Sequence, residues 1–95
     1  MHEDAAMEVI RYMDVHLFKP EIWWPADIFE ERSYARWAAN EILRRIIDDP
    51  FAPPDLIVVE FMCKMSALSF VDETENGRIF AIARETAENI LYLLM

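Results

Sequence analysis

Apolar side chains recur along this chain at steps of three and four residues, and prolines interrupt the pattern at Pro20, Pro25, Pro50, Pro53 and Pro54. A single glycine, Gly77, and the absence of long Val/Ile/Thr alternation argue for helices over strands. Four helical segments follow. The first runs from about Glu3 to Phe18, with Ala6, Val9, Ile10, Met13 and Leu17 on one face, and Lys19 and Pro20 end it. The second covers about Ser33 to Asp49, with Asp27 as an earlier possible start. Ala35, Ala38, Ala39, Ile42, Leu43, Ile46 and Ile47 form its inner arc, and Asn40, Glu41 and Arg44 its outer side.

Pro53 and Pro54 suit the first turn of a third helix, where a missing amide hydrogen costs nothing, and Asp55 suits the positive end of its dipole. From Leu56 to Phe70 only Glu60, Lys64, Ser66 and Ser69 are polar, so apolar groups lie nearly all round and this helix is expected at the centre. Glu60 and Lys64, four apart in the favourable order, mark the one strip expected to see water. Asp72, Thr74 or Asn76 caps a fourth helix, Asp72 and Glu75 having the spacing of a capping box. From Arg78 to Leu94 the pattern is clean: Ile79, Ile82, Ala83, Thr86, Ala87, Ile90, Leu93 and Leu94 share an arc opposite Arg84, Glu85, Glu88 and Asn89. Short connections make sequential helices antiparallel. The predicted fold is therefore an all-α, compact four-helix up-and-down bundle with the third helix central, one domain over residues 1–95.

Composition narrows the chemistry more than the architecture. Hydrophobic residues make up 55% of the 95, enough for a core despite a net charge of −9. One cysteine, Cys63, rules out an intramolecular disulfide and fits a reducing compartment. The start Met1, His2, Glu3, Asp4 lacks the basic opening of a secretory signal, and the longest apolar runs fall far short of the ~20 residues that span a bilayer. A cytoplasmic protein with no membrane association is expected. Eighteen acids against nine bases disfavour direct nucleic-acid binding, which needs a basic face. Residues 1 to 31 carry eight acids and two bases, 32 to 49 three acids and four bases, 50 to 75 five acids and one base, and the rest equal numbers. The acidity is concentrated, and a charged partner should be basic.

Few residues suggest catalysis. A single glycine leaves no phosphate-cradling loop, and two histidines with one cysteine leave no zinc cluster. Cys63 with Met62 and Met65 has the soft donors that suit Cu(I), but on so apolar a helix they read as packing residues, with Cys63 buried and inert. Glu8, Asp14 and His16 read as a solvated polar face. The acids Glu21, Asp27, Glu30, Glu31, Asp48, Asp49, Asp55, Asp72, Glu73 and Glu75 sit in or beside hydrophilic connectors, which do not split carboxylate pKa values as acid–base catalysis requires. No cofactor or metal is expected.

The tryptophans carry the remaining signal. Trp23 and Trp24, between Pro20 and Pro25, either lid one end of the bundle or anchor a partner. Trp37 falls among Asn40, Glu41 and Arg44, so something should cover it: the Trp23/Trp24 loop, the first helix, or a subunit or partner interface.

The pattern Tyr34, Trp37, Ala38, Glu41, Ile42, then Val59, Glu60, Phe61, Lys64, Met65, then Phe80, Ala81, Ile82, Ala83, Thr86, Ala87, Ile90, Leu91 resembles short uncharacterised proteins of Firmicutes bacteria and their mobile elements. The resemblance spans roughly the last two thirds of the chain and implies a bacterial cytosolic setting.

The functional expectation is a small acidic, non-enzymatic interaction module. Trp23, Trp24, Trp37, Glu21, Asp27, Glu30 and Glu31 are its candidate partner-binding residues, and a basic protein is its partner. Two alternatives stand. The apolar run Ile90 to Met95 fits a self-assembling structural homo-oligomer, with a homodimer as its simplest form, and the acidity fits a nucleic-acid-mimicking inhibitor of a defence or repair enzyme.

Overall fold

A computed structural model describes residues 3–17, 26–71 and 75–95, with side chains over 4–17, 32–69 and 77–95. Four helices make an up-and-down bundle: α1 (Glu3–His16), α2 (Ala26–Asp48), α3 (Pro54–Val71) and α4 (Glu75–Leu94). The described residues contain no strand. α3 packs against α2 and, most extensively, α4; α4 also meets α1 and α2.

The ends of the helices follow from local chemistry. The Pro53 carbonyl accepts a hydrogen bond from the amide of Ile57 at 3.2 Å, which makes Pro53 the cap of α3 and puts Pro54 at the first helical position, as the sequence suggested. α2 starts at Ala26, one residue before the earlier of the two expected starts and well before Ser33, so Asp27, Glu30 and Glu31 fall in its first two turns, where negative charge suits the dipole. α4 starts at Glu75, which removes Asn76 as its cap. Asp72 and Thr74, the other capping candidates, lie outside the described residues.

The C-terminal carbonyls of α1 find an unforeseen answer. Arg32 donates to the His16 carbonyl through Nε at 3.2 Å and a terminal nitrogen at 2.8 Å, and Arg36 donates to the Leu17 carbonyl through Nε at 2.6 Å. The last carbonyls of a helix lack partners along the helix and carry its partial negative charge, so two guanidinium groups at that end satisfy both needs. Arg32 is only 8% exposed. The C-terminal end of α1 is thus clamped from the α2 side by residues one helical turn apart.

One cluster of buried side chains joins all four helices: Val9, Met13 and Leu17; Ala38, Ala39, Ile42 and Ile46; Val58, Phe61 and Met65; Ala83, Ala87 and Ile90. These are mostly the positions that periodicity selects. Ile10, Ile47 and Leu93 are exceptions: expected inside, they lie at solvent. The molecule measures 39 × 35 × 20 Å. Its thin dimension is about two helix diameters of ~10 Å, so every helix keeps an outer side and residues at the margin of an apolar arc are left there.

Candidate interaction surface

The outer side of α3 is where sequence and structure part. Phe61, Val58, Met65 and Ile57 point inward. Glu60 and Lys64 are exposed as expected, but Leu56, Val59, Cys63 and Ala67 are exposed with them. A helix that is apolar all round is ordinarily enclosed. In a slab two helices thick α3 is not enclosed, and its surplus apolar groups face solvent.

Cys63, expected to be buried, is therefore an exposed free thiol near the middle of this strip. Its helix identified it as apolar; only the packing shows that the neighbours of α3 lie on the other side.

The strip continues onto α4. Met62 lines a groove of about 300 Å³ with Glu88, Leu91, Tyr92 and Met95, so the outward edges of the two helices form one apolar surface broken by a single carboxylate. Tyr92 is 81% exposed. Phe51, in the connection that leads into α3, is 92% exposed. Scattered exposed hydrophobics are normal; a run of them along one helix and its neighbour is what marks a contact surface.

Trp37 occupies an intermediate place. Its ring lies 6.1 Å from that of Phe61 at an interplanar angle of 51°, so one face rests on α3 while 43% of the residue remains exposed. Arg45, two turns further along α2, sets its guanidinium 5.7 Å from the centre of the same Phe61 ring. The described cover of Trp37 comes from α3. Of the other candidate partner-binding residues, Glu21, Trp23 and Trp24 lie outside the described residues, and Asp27, Glu30 and Glu31 lie in α2 and not in a connector, with their side chains outside the description.

Some of the described charges are paired within their own helices. Arg11 pairs with Glu8 at 3.4 Å, Arg44 with Glu41 at 3.8 Å and Asp48 at 4.0 Å, and Arg84 with Glu88 at 4.0 Å. Exposed pairs one turn apart contribute little to stability, but they leave these helix faces nearly neutral. Among the described residues no group of three or more His, Cys, Asp and Glu is placed to hold a metal ion, and no helix is long and apolar enough to cross a membrane. Compared with protein-family models, curated proteins and solved structures, the chain matches none.

Proposed function

We propose that this chain is a non-enzymatic protein–protein interaction module of the bacterial cytoplasm that engages a basic partner. The uncovered apolar surface of α3 and the adjoining edge of α4 supports an interaction module, because Leu56, Val59, Met95 and Tyr92 are exposed along neighbouring helix edges and a run of exposed apolar groups marks a contact surface. The charge of −9 supports a basic partner, which it would steer toward the molecule. The acids at the start of α2 and the tryptophans before it remain the proposed electrostatic and anchoring elements.

The test is kinetic. The partner that co-purifies from the source cells should associate more slowly as the Debye length falls from ~30 Å at 0.01 M salt to ~8 Å at 0.15 M. Reversing Glu30 and Glu31 to Lys should slow it further, with only a small loss of stability from positive charge near the start of α2. Association indifferent both to salt and to the reversal would remove the basic partner from the proposal.

A further inference from the structure

We propose that the outer face of α3 docks a second copy of this chain, in antiparallel two-fold packing with the symmetry axis beside Cys63. The inference rests on the reading of the chain as an interaction module and names the occupant of one of its surfaces. Leu56, Val59, Cys63 and Ser66 follow one another at steps of three, four and three residues, the spacing of a seam between two helices. Leu56, Val59 and Cys63 are exposed and Ser66 is half-buried. The core does not need them, since Ile57, Val58, Phe61 and Met65 already fill the inward side of α3.

Charge selects a copy of the same chain over a basic protein at this face. Glu60 balances Lys64 on α3, and Arg78 and Arg84 balance Glu85 and Glu88 on α4, so among the described side chains of the two helices a cationic partner meets one excess acid, Asp55 at the start of α3. Two copies would meet there through a part of the molecule far less acidic than its N-terminal third. An antiparallel axis at Cys63 brings Glu60 of one copy to within about two residues of Lys64 of the second, ~3 Å along the helix, on the edge that the two helices share. By symmetry this opposite-charge approach occurs twice. Asp55, the further acid at the start of α3, is held roughly 24 Å from its counterpart by the same arrangement.

Shape and area agree. With the axis at Cys63, Val59 lies level with Ser66 and Ala67 of the second copy, whose small side chains leave room for it. Tyr92 presents roughly 160 Å² at ~200 Å² per aromatic side chain, and Met95, which lines the same groove, is 88% exposed. Leu56, Val59, Cys63, Ala67 and the stems of Glu60 and Lys64 raise this toward the ~800 Å² per partner of a standard interface.

Sedimentation velocity on the full chain from about 1 to 100 μM, which spans the weak end of interfaces this size, should show a species of twice 11.2 kDa. Val59→Glu, at an exposed position, should keep its helical spectrum and raise the dimer dissociation constant at least ~30-fold, because each dimer carries the change twice. Diamide should link the wild-type dimer through one Cys63–Cys63 bond, the two thiols giving up two protons and two electrons to the reagent, and should leave Val59→Glu unlinked. A chain monomeric throughout overturns the second copy as occupant; a salt-dependent basic partner would then still uphold the module reading. A dimer that Val59→Glu does not weaken overturns this face, and a dimer that diamide does not link overturns the axis.

Discussion

α3 and α4 are neighbours of similar length, 18 and 20 residues, yet they relate sequence to surface in opposite ways. In α4 the polar residues Arg84, Glu85, Glu88 and Asn89 face solvent, while Ala83, Thr86, Ala87 and Ile90 are buried. Except for Leu93 near its end, the burial of these faces can be read from the helical wheel. In α3 the wheel has no polar side, and the helix turns Phe61 and Val58 inward but Leu56 and Val59 outward. Periodicity reports burial only where the two faces of a helix differ. Where both are apolar, composition gives the demand for cover and the fold decides which half of it is met within the chain.

The largest effect should come from the half that is met. Phe61 is 1% exposed and supports both Trp37 and Arg45 from α2, so Phe61→Ala should lower the free energy of urea unfolding by ~3–5 kcal/mol. The near-UV circular dichroism of the tryptophans should weaken with it, because the Trp37 ring loses the surface it rests on. A loss below ~1 kcal/mol, within the range of surface changes, would mean that the α2–α3 contact is not part of the core.

A smaller and more local loss is expected at the α1–α2 clamp. Arg32→Ala removes two hydrogen bonds from a charged donor to the His16 carbonyl, worth ~1.5–3 kcal/mol each at most and less as a pair sharing one acceptor. Amide hydrogen exchange should quicken across α1 while the α3–α4 hairpin keeps its protection. Equal quickening in both hairpins would show that α1 is not a separable unit.

The parts of this fold that were legible from the residues share a cause, as do those that were not. Ala38, Ala39, Ile42, Ala83, Ala87 and Ile90 were legible because each lies at the middle of an apolar arc with polar residues opposite. Pro53 and Pro54 placed the start of α3 because proline has few tolerable positions in a helix. Ile47 and Leu93 were misplaced because they lie at the margins of their apolar arcs, which a thin bundle leaves partly at solvent. Arg32 and Arg36 were missed for another reason. Their spacing of four puts both on one side of α2, a signal present in the sequence, but their targets are backbone carbonyls, which leave no mark in side-chain patterns. Of the candidate surface, Trp37 was recognised, whereas the exposed strip of α3 with Cys63 was not, because the same apolar residues that mark a contact face also mark a core.

The smallest effect is expected on that strip, and it separates the two explanations of an apolar outer face. Leu56 is 58% exposed, so Leu56→Asn in dilute solution should change unfolding stability by no more than ~0.5 kcal/mol, in line with substitutions away from the core. A cost above ~2 kcal/mol in dilute protein would place Leu56 in the core of the single chain and close the contrast between α3 and α4. If a second copy covers the strip, the melting temperature of the wild type should climb with protein concentration, because association stabilises only the folded form. The variant should climb less, so a gap that is negligible in the dilute melt should open in the concentrated one. Two melting curves that stay superimposed from dilute to concentrated protein would mean that the apolar side of α3 is not covered by another copy.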